Sequence, residues 1–139
     1  MKIATLAVAA TAFLHLKGPD GTHLYEGKEP VGIDLFGPGS PEHARIEERQ
    51  SARAVKRMQD NDGKVSLAPV EQRRAEAADD LAALTAGFRH IEHEVDGRQL
   101  AGVELHTAVY ADPTLGWIKD QVARFVGDWG KFTPGSATS

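Results

Sequence analysis

The chain has 139 residues, 41% of them hydrophobic and 26% charged, with a formal net charge of −4 and no cysteine. This length is typical of a single domain and suffices to bury a core without a disulfide or a metal. The lack of cysteine excludes disulfides and zinc–thiolate sites, and the acidic balance disfavours a nucleic-acid-binding protein.

The N-terminal segment 1–17 is apolar, but its pattern is not that of a membrane span or a secretory signal. Alanine and threonine dilute the apolar residues, and the segment continues directly into Phe13, His15 and Lys17. A span needs about 20 apolar residues. A secretory signal has a compact apolar block followed by a small-residue cleavage site. We therefore expect a soluble protein that stays inside the cell, with no membrane association.

Residues 10–37 have the pattern of β structure. Two segments rich in turn formers, GPDG and EGKEP, divide this region into three short runs. The third run has aliphatic residues at every second position, which places them on one face of a strand: Val31, Ile33 and Leu35. The pattern predicts a three-stranded antiparallel meander, with His15 and His23 as cross-strand neighbours.

A glycine-rich turn leads directly into a helix start at residues 37–50. Ser40 suits the N-cap, Pro41 the first helical position, and Glu42 the positive end of the helix dipole. The segment lacks the Gly-Lys-Ser/Thr ending of a phosphate-binding loop. We interpret it as the start of a helix that runs to about Gln59.

This first helix has a thin apolar stripe, with Ile46, Val55 and Met58 as its anchors. It is expected to lie over the sheet or to project from the body. It also carries a basic run, RQSARAVKR at residues 49–57, which the preceding glutamates partly offset. We interpret this run as a solvated helix face and not as a nucleic-acid-binding patch.

A second helix is predicted to begin near Pro69. Its core-facing residues recur at helical spacing: Val70, Ala77, Ala78, Leu81, Leu84 and Phe88. A short extended segment then ends at a turn formed by Asp96 and Gly97, and a short helix is predicted at residues 100–109.

The last helix is predicted from Asp112, as its cap, to Gly130. Its apolar residues repeat at steps of three and four: Leu115, Ile118, Val122, Phe125 and Trp129. Residues 133–139 are predicted to be a flexible tail. The sequence thus predicts one α+β domain over residues 1–132, β-rich at 10–37 and helical at 41–132.

No catalytic motif is evident in the sequence. There is no Gly-x-Ser-x-Gly elbow, and paired carboxylates such as Asp79 and Asp80 are expected on solvated helix faces. A metal site or a small enzyme built on His90, His93 and His106 is the alternative. In an extended segment, however, the first two side chains would point to opposite faces. We expect no enzymatic activity, no metal and no cofactor.

Aromatic residues are concentrated near the C-terminus. Both tryptophans and two of the five phenylalanines fall between Trp117 and Phe132. Trp117 lies off the main apolar stripe and would form a second face with Gln121, and aromatic residues are enriched at protein interfaces. Trp117, Gln121, Phe125, Trp129 and Phe132 are therefore candidate partner-binding residues. Of these, Phe125 and Trp129 are the ones we expect to belong to the core.

Four stretches, taken together, carry a family resemblance. They are GPDGTHLYEGKEPVGIDLFGPGS, ARIEERQSARAVKRM, LAALTAGFRHIEHEVDG and VYADPTLGWIKDQVARFVGDWGKF. In this order they resemble the tail assembly chaperones encoded by tailed bacteriophages, and they cover most of the chain. DQVARFVGDWGKF is the most specific element.

The resemblance implies a non-enzymatic protein of the host cytoplasm that binds the tape measure protein. It would keep that protein soluble until tail-tube subunits polymerise around it, and would then leave. A tape measure protein is a long amphipathic helix, so its chaperone would need apolar or aromatic grooves. The tail tube protein is a further expected partner, and self-association is left open. The alternative is a structural tail protein that is retained in the virion.

Overall fold

The computed structural model describes residues 1–64 and 68–134. Its α-helices are α1 Pro41–Asp60, α2 Val70–Ala83, α3 Gly102–Ala111 and α4 Gly116–Phe125. Its strands are β1 Thr11–His15, β2 Tyr25–Glu26, β3 Glu29–Pro30, β4 Gly32–Phe36, β5 Thr85–Arg89, β6 Glu94–Val95 and β7 Arg98–Gln99. Short 3₁₀ turns lie at Ile3–Leu6, Pro113–Leu115 and Trp129–Phe132. The α+β class is confirmed, whereas residues 135–139 of the predicted tail lie outside the described residues.

The main sheet has three antiparallel strands in the order β1–β4–β5. Thr11 of β1 lies opposite Phe36 of β4, and His15 lies opposite Gly32. The short hairpin of β2 and β3 lies between β1 and β4 in the chain. A second short hairpin, of β6 and β7, turns at residues 96–97 as predicted.

The third strand of the main sheet differs from the prediction. All three strands were expected within residues 10–37, with the second helix continuing to Phe88. Instead, α2 ends at Ala83 and the chain enters β5, which completes the sheet. Thr85 and Gly87 explain the change, because a β-branched residue and a glycine are poor helix formers. Phe88 therefore lies in β5 and packs against the core from the sheet, not from a helix.

The helices α2, α3 and α4 cover one face of the sheet and form the core with it. The sheet contributes Leu14, Leu16, Ile33 and Leu35, and the helices contribute Ala78, Leu81, Leu105, Val109, Ile118, Val122 and Phe125. Tyr110 is 1% exposed, and its hydroxyl donates to Thr85 Oγ1 at 2.7 Å. Burial raises the pKa of Tyr110, so this hydroxyl keeps its proton.

The opposite face of the sheet carries polar and aromatic side chains. Arg89 donates to both carboxylate oxygens of Asp34, at 2.8 and 2.9 Å, and lies over the ring of Phe13. The rings of His15 and His23 stack with their centroids 4.2 Å apart, as expected of cross-strand neighbours. The aromatic rings on this face therefore contact one another or Arg89, and His15 is buried there whereas Arg89 is exposed.

Charged side chains attach α1 to the body. Ile46 is buried, but Val55 and Met58, two of the three predicted anchors, are 54% and 42% exposed. Helix α1 thus has apolar support near its start and projects toward its end.

A buried carboxylate, Asp80 of α2, is the centre of this attachment. It is 6% exposed and accepts hydrogen bonds from Arg49 and Arg53 at 2.8 Å each, and from Gln50 at 3.2 Å. We call these four residues the Asp80 cluster. Burial alone would raise the pKa of Asp80, but the hydrogen bonds from Arg53, Gln50 and Arg49 hold it below the usual range.

Two expectations about charged residues are therefore wrong. The basic run 49–57 is not a simple solvated face, because Arg49 and Arg53 bind Asp80 and Arg57 binds Glu76 one turn away. Asp80 is not solvated, although its neighbour Asp79 is exposed. The sequence could not show this, because the partners are about 30 residues apart and meet only when the two helices pack.

Replacing the buried carboxylate tests the cluster. Asp80→Asn should lower the free energy of unfolding at pH 7 by roughly 2–3 kcal/mol, because two partly solvated guanidinium groups lose their counterion. The folded-state pKa is depressed, so the stabilisation is fully present above the unfolded-state pKa of about 3.9 and is lost as pH falls from there through the lower folded-state pKa. The difference between wild type and Asp80→Asn, measured by urea unfolding, should therefore shrink below about pH 4. Asp79→Asn is the control, and an equal loss in both variants would contradict the cluster.

The glycine-rich turn at residues 37–40 has two roles. Ser40 caps α1 as predicted, accepting a hydrogen bond from His43 N at 3.2 Å and donating to Gly37 O at 2.7 Å. Gly37 also leaves room for an aromatic ring, because a Cβ there would lie 2.4 Å from the ring of Phe132. The turn thus begins α1 and also packs against the ring of Phe132.

A methyl group at Gly37 should displace this ring. Gly37→Ala should lower the free energy of unfolding by about 1–3 kcal/mol, the usual cost of overpacking a core. Gly127→Ala is the matched control, because a Cβ there has open space around it and the change should stay within about 0.5 kcal/mol. Thermal unfolding of both variants gives the comparison, and equal melting temperatures would contradict the packing of Phe132 on Gly37.

Candidate partner-binding groove

The predicted last helix, residues 112–130, is interrupted in the structure. Helix α4 ends at Phe125, and a separate 3₁₀ turn follows at Trp129–Phe132. Asp128 provides the reason, because its carboxylate accepts a hydrogen bond from Gly130 N at 3.0 Å and so caps the new turn. We call Gly116–Phe132 the C-terminal segment.

This interruption exchanges the positions of two aromatic side chains. In one continuous helix, Trp129 would follow Phe125 by one turn on the core face. Instead, Trp129 is 57% exposed, whereas Phe132 is 1% exposed and packs against Phe125 with ring centroids 5.2 Å apart. The expectation that Trp129 belongs to the core is wrong, and the expectation for Phe125 is confirmed.

A groove of about 550 Å³ lies between α4 and the end of β1. We call it the α4 groove. Trp117, Gln121 and Phe125 line one side, and Leu14 and His15 line the other together with the loop that follows β1. The structure thus brings three of the five candidate residues together in a concave site.

The other two candidate residues lie outside the α4 groove. Phe132 is buried behind Phe125 and supports it, and Trp129 lies over Gly39 on a different part of the surface. Sequence reasoning could have placed these two rings from the Gly127–Asp128 pair, a helix-ending glycine followed by an N-cap residue.

Gln121 has a specific structural role in the groove. Its carboxamide accepts a hydrogen bond from Lys17 N at 2.9 Å and donates to Lys17 O at 2.8 Å, and it also donates to Trp117 O. It therefore fastens α4 to the chain that leaves β1, more than 100 residues earlier. Nothing in the local sequence around either residue could have indicated this pairing.

Charges of both signs surround the α4 groove. Its lining includes the basic residues Lys17, Arg124 and Lys131 and the acidic residues Asp120 and Asp128. The apolar surface of Trp117 and Phe125 lies among them. Such a site selects by apolar contact and shape more than by net charge.

A second groove, of about 480 Å³, lies between α1, α2 and α4. Its charged lining includes Arg53 and Arg57, whose guanidinium groups are bound to Asp80 and Glu76. Because the guanidinium groups of Arg53 and Arg57 already bind carboxylates, these two charges are less available to a ligand.

The alternative metal site is not assembled. The ring of His106 is 7% exposed and packs against Phe88, and burial lowers the pKa of His106. Among residues 1–64 and 68–134, no group of three or more histidine, aspartate or glutamate side chains is placed to hold a metal ion.

No protein-family model, curated protein or solved structure matches this chain. Within the part of the chain that the structure describes, no helix combines the length and apolar character needed to cross a membrane.

The exchanged aromatic positions give a direct stability test. Phe132→Ala should lower the free energy of unfolding by about 3–5 kcal/mol because a buried ring is lost. Trp129→Ala should cost less than about 1 kcal/mol, since more than half of that residue is exposed. Chemical denaturation of both variants provides the measurement. If Trp129→Ala lowers the free energy of unfolding more than Phe132→Ala does, Trp129 belongs to the core, and this result would contradict the interrupted helix.

Proposed function

We propose that this chain is a non-enzymatic tail assembly chaperone of a tailed bacteriophage, and that the α4 groove binds its tape measure protein. The observation that carries the proposal is the groove itself, in which Trp117 and Phe125 lie beside Leu14. The half-buried ring of Trp117 offers aromatic surface above a floor formed by the buried side chains of Leu14 and Phe125, and an amphipathic partner needs such apolar surface.

The arrangement of the chain supports the same proposal. The stretches at residues 18–40 and 109–132, which resemble the tail assembly chaperones, are far apart in sequence. In the structure they meet where the ring of Phe132 packs on Gly37, and both contribute to the lining of the α4 groove. The resemblance and the groove therefore involve the same part of the molecule.

A groove of this size suits a reversible interaction. It can enclose a few side chains of a partner but not a whole helix, and its rim is charged. A chaperone must release the tape measure protein when the tail tube forms around it. Under this proposal the protein acts in the host cytoplasm, and the tail tube protein, which arrives at that moment, is its second partner.

A structural tail protein retained in the virion is the competing function. In that case the α4 groove would be an interface between subunits of the particle. The two functions differ in where the protein is found after assembly, and one experiment separates them.

The decisive experiment is an affinity pull-down from cells that produce the phage, combined with mass spectrometry of purified particles. The proposal predicts capture of the tape measure protein from cells and no stoichiometric signal in particles. Stoichiometric presence in particles would instead establish a structural tail protein.

A substitution in the groove tests its part in this capture. Trp117→Ala should reduce recovery of the tape measure protein about tenfold or more, because aromatic side chains at the centre of an interface contribute most of its affinity. Val103→Ala is the matched control, since Val103 is 70% exposed and lies on α3, away from the lining of the groove. Equal recovery with both variants would place the binding surface elsewhere.

A further inference from the structure

Within residues 1–64 and 68–134, the side of β1 that faces away from β4 has no neighbouring strand. Gly37 N donates to Ala10 O and Leu16 N donates to Val31 O, so the even-numbered residues of β1 direct their main-chain groups toward β4. The odd-numbered residues Thr11, Phe13 and His15 therefore direct their main-chain N–H and C=O groups away from β4. We call these three residues the β1 edge. Within residues 1–64 and 68–134, their main-chain N–H and C=O groups have no hydrogen-bond partner.

The C-terminal segment occupies both ends of this edge. At one end, Ala9 N donates to Phe132 O at 2.8 Å. At the other end, the carboxamide of Gln121 both donates to and accepts from the main chain of Lys17, as a residue of a facing strand would. Groups that act in place of a strand thus bond the N–H of Ala9 and both main-chain groups of Lys17, and in the described part of the chain the β1 edge between them has no such partner.

We propose that the α4 groove binds an extended segment of the partner, which adds to the sheet as a strand beside the β1 edge. Main-chain hydrogen bonds to Thr11, Phe13 and His15 would hold the segment. Its alternate side chains would face Leu14 and Phe125, and these should be apolar. The proposal takes the identity of the partner, the tape measure protein, from the proposed function, whereas the mode of binding comes from the edge itself.

The chemistry of β1 suits an incoming strand. Its sequence, TAFLH, contains no lysine, no proline and no acidic residue, the devices that commonly block pairing at a sheet edge. The eight residue steps from Ala9 to Lys17 span roughly 26 Å, which leaves room for about five extended residues between the occupied ends. A helix does not fit this role, because its main-chain groups are bonded internally, so the bound segment is one that the otherwise helical partner presents in extended form.

A second copy of the chain fits this edge less well than a single peptide segment does. Pairing of two β1 edges would bring the C-terminal segments of both copies against each other, because Phe132 and Gln121 lie at the ends of each edge. A lone extended segment would enter the α4 groove beside His15 and continue along Phe13 and Thr11, which lie outside the lining of the groove.

Amide hydrogen exchange followed residue by residue by NMR tests the edge in the free protein. The amides of Thr11, Phe13 and His15 should exchange at least tenfold faster than those of Ala12 and Leu14 in the same strand. Equal protection across β1 would show that the edge is already paired and would overturn the proposal. Protection that rises with protein concentration would identify a second copy as the occupant and would overturn it as well.

The same measurement with the tape measure protein added separates the two proposals. Strand addition predicts that these three amides become at least tenfold slower to exchange. A complex that leaves them unchanged would overturn strand addition while the proposed function stands. If no complex forms, both fail.

Thr11→Pro and Thr11→Val form a matched pair for binding. Thr11 is exposed and its N–H points away from β4, so proline is tolerated there while the incoming strand loses a donor. Thr11→Pro should weaken capture of the tape measure protein about tenfold, and Thr11→Val should not change it. Equal capture by the two variants would overturn the proposal. If Thr11→Pro does not fold, the amide exchange of the wild-type chain decides whether a strand is added.

Discussion

The packing of Phe132 on Gly37 is the contact on which the arrangement of the site depends. A glycine at this position lets an aromatic ring from the end of the domain lie directly on the turn before α1. With this contact and the Lys17–Gln121 hydrogen bonds, the C-terminal segment is held along the open side of β1. The α4 groove exists because this segment lies beside the edge without pairing with it.

A different force holds α1. Its apolar stripe is short, and the Asp80 cluster connects it to α2 through hydrogen bonds between charged groups. These charged hydrogen bonds fix the orientation of α1 against α2. They contribute less net stability than an apolar contact of equal area would. The domain therefore combines a well-packed body of sheet, α2, α3 and α4 with a projecting helix whose outer surface, at Val55 and Met58, remains exposed.

Features with local causes could be predicted from the sequence, and features made by distant partners could not. The α+β class, the cap at Ser40 and the turn at residues 96–97 follow from neighbouring residues. The strand β5, the burial of Asp80 and the pairing of Gln121 with Lys17 each depend on residues far away in the chain. For the candidate site, the aromatic content indicated Trp117 and Phe125, which line the α4 groove, whereas the interrupted helix leaves Trp129 exposed and Phe132 buried.

Site-specific photo-crosslinking can show whether the proposed partner lies in the α4 groove. A benzophenone amino acid would replace Trp117 in one variant and Val103 in a control, in cells that produce the phage. If the tape measure protein lies in the α4 groove, position 117 should crosslink to one region of it, and position 103 should give no crosslink. Crosslinks from position 103 alone, or from neither position while the intact complex is still recovered, would contradict binding in the α4 groove.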